Sequence, residues 1–141
     1  MKTRILLAED NTDAAEIVSI VLKHFGYEVI LAHDGVEAVK NAVTFEPDLI
    51  LMDLMMPRMD GLEATAHIRQ HPKTKSIPII AATAMATSEG RKKCLAAGCD
   101  EYLPKPISPK QLAEAIRKLL RDRGCNAAEK STALVSGALR H

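Results

Sequence analysis

The chain has 141 residues, 47% of them hydrophobic and 26% charged, with 19 Lys and Arg against 18 Asp and Glu for a formal net charge of +1. That is the composition of one soluble globular domain, long enough to bury a core without staples and too short for a second folded effector domain. The near-neutral charge lacks the excess of a duplex-binding protein, and Phe25, Tyr27, Phe45 and Tyr102 are too scattered to form a stacking platform for single strands, so nucleic acid is not expected as a partner. Cys94, Cys99 and Cys125 are odd in number and match neither a CxxC pair nor a zinc-ligand set, which fits a reduced cytoplasmic setting. The apolar run after Met1-Lys2-Thr3-Arg4 is too short for a signal peptide or a membrane span, so no membrane association is expected.

Short β-type apolar runs alternate with helical patterns five times, predicting a parallel sheet covered by helices on both faces. The first strand is Ile5 to Ala8. Asn11 caps a helix whose Ala14, Ile17, Val18, Val21, Leu22 and Phe25 recur at helical spacing, and Gly26 stops it. Tyr27 to Ala32 is a second strand, with Glu28 suiting a sheet edge. Asp34 with Glu37 forms a capping box for a helix that runs to Pro47. Asp48 to Met52 is apolar after its first residue, as expected of a central strand. Asp60-Gly61-Leu62-Glu63 opens a third helix that ends near His71-Pro72. Ile77 to Thr83 is the fourth strand. Between Thr87 and Ala97 the helical pattern is weakest, because Gly90 interrupts it, and Gly98 ends it. Asp100 to Leu103 is a short fifth strand. Ser108-Pro109-Lys110-Gln111 starts a last helix through Leu112, Ala115, Ile116, Leu119 and Leu120 that is expected to end near Gly124. The sequence thus predicts a folded domain over 1–123 and a mobile tail over 124–141, with no internal repeat.

In an open parallel sheet, ligands bind beyond the carboxyl ends of the strands, where the strand order reverses. Glu9 and Asp10 follow the first strand and Asp53 follows the third, neighbours in a 2-1-3-4-5 order. One such carboxylate is ordinarily a solvated loop charge; three at adjacent strand ends require a cation, and oxygen-only ligands suit Mg²⁺. Thr83 ends the fourth strand and Lys105 follows the fifth. A hydroxyl and an ammonium facing a metal and a carboxylate make a cage for a phosphoryl group, with Asp53 as nucleophile.

The segments Leu6-Leu7-Ala8-Glu9-Asp10-Asn11, Asp48 through Pro57, Met59-Asp60-Gly61, Ala81-Ala82-Thr83-Ala84 and Tyr102-Leu103-Pro104-Lys105-Pro106 resemble the receiver domains of bacterial two-component response regulators, over about residues 3–122. The resemblance implies a flavodoxin-like five-stranded sheet with five helices. It implies that Asp53 accepts phosphate from a histidine kinase or histidine phosphotransfer protein. Glu9, Asp10, Asp53 and the Met55 backbone carbonyl would hold Mg²⁺, with Mn²⁺ as a substitute, and Lys105 and Thr83 would contact the phosphoryl group. It further implies a cis bond before Pro106 and a switch in which Thr83 moves and Tyr102 turns inward. That switch would re-form the face of the fourth helix, fifth strand and fifth helix, through which a downstream protein or a second copy is engaged.

Met55 and Met85 occupy places where similar proteins often carry polar groups that position water, and a thioether does not do this. Slow self-hydrolysis of an aspartyl phosphate is therefore expected. Cys94 and Cys99 read as small buried residues, Cys125 as an adventitious thiol, and none of His24, His33, His67, His71 and His141 as catalytic. The chain is expected to catalyse only its own phosphorylation and dephosphorylation. The wording around Glu9 and over residues 97–102 resembles receivers attached to hybrid histidine kinases, so a module of such a kinase is one alternative. An aspartyl-phosphate phosphohydrolase is another, weakened because Met55 stands where a second acid is needed. A phosphate-independent scaffold is a third. Charge is unevenly spread: residues 1–60 carry 5 basic and 11 acidic residues, residues 61–141 carry 14 and 7.

Overall fold

The structure, a computed structural model, describes residues 2–84 and 87–135, with residues 123–135 as backbone only. In chain order it contains β1 (Arg4–Ala8), α1 (Thr12–His24), β2 (Glu28–Ala32), α2 (Gly35–Phe45), β3 (Leu49–Asp53), α3 (Gly61–Gln70), β4 (Ile79–Thr83), α4 (Ser88–Ala97), β5 (Glu101–Pro104) and α5 (Pro109–Val135). The strands form one parallel sheet in the order β2-β1-β3-β4-β5, as the alternation of patterns predicts. Glu28 lies on the edge strand and is exposed.

Strand alternation divides the core into two layers. Leu6, Ala8, Ile50, Met52, Ile79 and Ala81 point to one side, where they pack on Ala38 and Ala42 of α2 and Ala64 and Ile68 of α3. Ile5, Leu7, Leu49, Leu51, Ile80 and Ala82 point to the other, onto Ala15 and Leu22 of α1 and Leu112, Ala115 and Ile116 of α5. Central β3 and β4 are buried along their whole length, the reason they read as unbroken apolar runs.

The predicted caps form. Asn11 accepts from the Ala14 N–H at 2.8 Å, Asp34 from Glu37 at 2.7 Å and Asp60 from Glu63 at 2.9 Å. Thr87 caps α4 by accepting from Gly90 at 3.0 Å, and Gly98, at φ 114°, ends it. Cys94 is the buried residue of α4, so this helix is held by far less apolar surface than α1 or α3. Cys94 and Cys99 are both buried, as expected; the side chain of Cys125 and residue His141 lie outside the described residues.

Several element ends differ from expectation by a residue or two, among them those of β1, β2, β3, α2 and β5, and two differences have a clear physical cause. Strand β4 begins at Ile79, not Ile77, because Pro78 has no N–H to donate and the Ile77 N–H turns back to the Thr74 carbonyl at 3.1 Å. Helix α5 continues to Val135 instead of ending near Gly124. A lone glycine costs about 1 kcal/mol in a helix, and Ala127, Ala128, Glu129 and Lys130 beyond it favour helix with no proline to break it. Of the tail expected to be mobile, residues 136–141 lie outside the described residues.

One side chain ties three connections together. Arg69, on α3, donates from Nε to the Gly98 carbonyl (2.9 Å), from one terminal nitrogen to those of Lys75 (3.0 Å) and Ile77 (2.7 Å), and from the other to Asp100 Oδ2 (2.8 Å). Asp100 Oδ2 also accepts from the Ile79 N–H at 2.9 Å. The planar fork satisfies carbonyls at the start of β4 and the end of α4 at once, which lysine's point charge does not reproduce. Arg69→Lys is therefore expected to destabilise the fold by about 2 kcal/mol in urea titrations, nearly as much as Arg69→Ala.

Burial also pushes the Cys99 thiol from its ordinary value of 9.0 up to about 11, against a smaller opposing effect of its contact with Thr65. The unfolded chain then releases this proton before the folded one does, so stability falls as pH rises from about 9 towards 11. Urea melts at pH 8 and 10.5 are expected to show wild type losing on the order of 1–2 kcal/mol more than Cys99→Ala over that interval.

Candidate functional site

Strand register assembles the site. Ala8 pairs with Met52, so Glu9 emerges beside Asp53, the last residue of β3; Asp53 pairs with Ala82, and Thr83 with Pro104, so Thr83 and Lys105 follow on the next two strands. The Lys105 N–H donates to the Thr83 carbonyl at 2.8 Å, extending the ladder one step past β5. The Lys105–Pro106 bond is cis, as the resemblance implied.

Glu9, Asp10 and Asp53 each bring a carboxylate oxygen into a set whose atoms lie within 4.8 Å of one another. Glu9 and Asp53 are each only 5% exposed, whereas Asp10 is open to solvent. Lys105 Nζ reaches Glu9 Oε1 at 2.8 Å and Asp53 Oδ2 at 3.2 Å. Burial raises the Glu9 carboxyl above its ordinary value, opposed by the Lys105 hydrogen bond and reinforced by neighbouring Asp53. For Lys105, burial alone would favour loss of the proton, but the carboxylates of Glu9 and Asp53 outweigh it and hold the ammonium above the ordinary lysine value.

Backbone N–H groups hold both buried carboxylates and the loop after β3. The Met55 N–H donates to Asp53 Oδ1 at 3.1 Å, and the Asn11 N–H donates to Glu9 Oε2 at 3.2 Å. The Gly61 N–H donates to the Leu54 carbonyl at 3.1 Å, and a Cβ on Gly61 would run into the Asp53 carbonyl oxygen, so α3 starts against the acidic strand end only because it starts with glycine.

Two depressions flank this centre. A cleft of about 560 Å³ behind Thr83 is bordered by Met55, Leu62, Thr87 and Tyr102. Tyr102 is 7% exposed, so its ring is inside. A groove of about 230 Å³ beside Lys105 is lined by Ala14, Ile17, Val18, Pro106 and Ile107. The sequence gives no sign of this groove: Ile17 falls in the apolar repeat of α1, yet in the structure it is 64% exposed and borders the groove, with Ile20, 60% exposed, one turn further on. Met85 lies outside the described residues. The four described histidines sit on α1, α3 and connecting segments, and none joins the carboxylate cluster.

A doubly wound five-stranded sheet with this acidic centre and a facing lysine defines a receiver. The model of the response regulator receiver domain matches residues 5–117, and the chain belongs to that family. It is 36% identical over 138 residues to the DNA-binding dual master transcriptional regulator RpaA of Synechocystis sp., covering 96% of this chain and 57% of RpaA. It is 47% identical over 118 residues to hybrid signal transduction histidine kinase G of Dictyostelium discoideum, covering 82% of this chain and 3% of the kinase. The chain thus spans little more than half the length of regulators such as RpaA. Among solved structures, the receiver domain of sensor histidine kinase PA1611 from Pseudomonas aeruginosa, with a magnesium ion coordinated in its active site cleft, superposes with a TM-score of 0.80 at 38% identity, over 85% of this chain and 98% of that one. Chemotaxis protein CheY4 of Vibrio cholerae gives 0.80 at 30% identity, over 84% and 99%.

Three carboxylates against one ammonium leave an excess of negative charge, and their all-oxygen donor set fits a hard divalent cation. Lys105 holds Glu9 and Asp53, two of the carboxylates that such a cation would need. Lys105→Met is accordingly expected to tighten Mg²⁺ binding about three- to tenfold, and Asp10→Asn to weaken it by about tenfold or more, in calorimetric titrations.

Proposed function

We propose that the chain is a phosphoacceptor in a two-component pathway, taking a phosphoryl group from a histidine kinase or histidine phosphotransfer protein onto Asp53. The observation that carries this reading is the setting of Asp53: 5% exposed, within 3.2 Å of Lys105, and sharing a cation-sized cluster with Glu9 and Asp10. Glu9, Asp10, Asp53 and the Met55 carbonyl would hold Mg²⁺. When bound, that ion supplies charge neutralisation at the phosphoryl oxygens. Asp53 forms the O–P bond as the donor's N–P bond breaks, with the Met55 N–H fixing one carboxylate oxygen. Lys105 supplies the fixed positive charge, and the Thr83 hydroxyl stands at the strand end opposite it.

The donor must bring its histidine to the mouth of this pocket. The exposed Ile17 and Ile20 and the groove at Ile107 offer it an apolar surface within reach of Lys105. The output is a changed surface. Phosphorylation adds about −1.5 to −2 charges at the end of the sheet, and Thr83 and Tyr102, which border one cleft with the start of α4, transmit the change to the α4-β5-α5 face. That face receives a downstream protein or a second copy. The chain catalyses its own phosphorylation and dephosphorylation only, and works in the cytoplasm; among the described residues, no helix is long and apolar enough to cross a membrane. The 47% identity to part of a hybrid kinase favours a second setting for the same chemistry, a receiver module in a relay.

Incubation with acetyl phosphate and Mg²⁺ is expected to add one phosphoryl mass to wild type and none to Asp53→Asn; labelling of both, or of neither, would overturn the assignment. Release of many equivalents of phosphate from small esters would instead indicate a phosphohydrolase. With the site loaded, Met55→Asn and Met85→Glu are each expected to shorten the phosphate half-life by about threefold or more, because each supplies a water-orienting group that methionine lacks.

A further inference from the structure

Met55 is 67% exposed, more than any other large apolar side chain among the described residues, while its neighbour Met56 is buried and Met52 completely so. Its backbone is nevertheless fixed, because its N–H donates to Asp53 Oδ1 at 3.1 Å. The side chain therefore borders the cleft shared with Thr83 and Tyr102, beside the carboxylate but open to solvent. A thioether in that place fills no core and accepts no strong hydrogen bond. It is also the most accessible oxidisable sulfur among the described side chains: Cys94 and Cys99 are buried, and burial raises both thiols above their ordinary values.

We infer that Met55 is an oxidation site through which hydroperoxides shorten the life of the phosphorylated state. The step is a two-electron oxygen transfer: a sulfur lone pair forms the S–O bond as the peroxide O–O bond breaks, giving methionine sulfoxide, and hydrogen peroxide is reduced to water. The product carries a strong acceptor oxygen where the thioether had none. That oxygen holds a water beside the Asp53 phosphoryl group, and the acyl phosphate hydrolyses faster. Oxidation is reversible by methionine sulfoxide reductases, so the site reads peroxide as a graded and recoverable signal. This inference rests on the phosphoacceptor reading of Asp53.

The test uses the full chain carrying Met85→Leu, with and without Met55→Leu. Each protein is oxidised with hydrogen peroxide, mapped by peptide mass spectrometry, loaded with acetyl phosphate and Mg²⁺, and followed by intact mass. Met55 is expected to oxidise before Met52 and Met56, and the phosphate half-life to shorten by about threefold or more. Sulfoxide reductases A and B, which do not repair oxidised thiols, are expected to restore it; the Met55→Leu protein is expected not to respond to peroxide. An unchanged half-life with Met55 oxidised, an equal response in Met55→Leu, or oxidation of Met52 and Met56 ahead of Met55 would each overturn the inference. Failure to incorporate phosphate before oxidation would overturn the phosphoacceptor reading itself, a separate result because oxidation is mapped independently.

Discussion

Every feature of the site follows from forcing Glu9 and Asp53 to emerge side by side from β1 and β3. The pairing of Ala8 with Met52 leaves the next residue of each chain segment no freedom to move apart. Like charges held this way repel, and their burial makes each costlier. The fold offsets part of this with the Lys105 ammonium, delivered from the far side of the sheet by β5. The remainder is a standing attraction for a cation. A one-residue slip between β1 and β3 would turn Glu9 to the other face and abolish the cluster, so the apolar pattern that fixes register also fixes the chemistry.

The scaffold is unevenly secured around this centre. On one side, Gly61 admits α3 against Asp53, and Arg69 binds the α3 end to the carbonyls that precede β4 and close α4. On the other, α4 buries Cys94 and little else. Its start borders the same cleft as Thr83 and Tyr102. With Cys94 as its buried anchor and its carboxyl end tied down by Arg69, α4 has its less anchored end at Thr87 to Gly90, beside the site. Elements that respond to a local charge are drawn from the least secured parts of a fold.

Element order was legible in the sequence because each boundary carries local chemistry: Asn11, Asp34 and Asp60 accept from the helix N–H groups that their spacing predicts. The five polar residues at strand ends were legible for the same reason, since position relative to a strand is a local property. What stayed hidden depends on partners far away in sequence. The Arg69 fork reaches carbonyls whose directions are set only when α3, β4 and α4 pack, and the Glu9–Lys105 pair joins residues 96 positions apart. The groove at Ile17 is invisible until α1 lies beside the segment after β5. Gly124 misled in the opposite direction: a residue that ends helices when the next turn has another partner is carried through when the turn beyond it, Ala127 to Lys130, favours helix.

The exposed apolar side chains carry the last step. Ile17 and Ile20 lie three residues apart on α1, so they share a face, and that face adjoins Lys105 through the groove at Ile107. Met55 borders the other depression, next to Asp53. On the phosphoacceptor reading, the two rims serve opposing events. The isoleucines would give a donor protein a dry surface on arrival, and the Met55 rim would set how readily water follows once the donor has left. Both rims are apolar and exposed, but Met55 is hydrogen-bonded through its backbone to Asp53 itself, so a change of polarity at that side chain would act beside the phosphoacceptor, whereas one at the isoleucines would act on the docking surface.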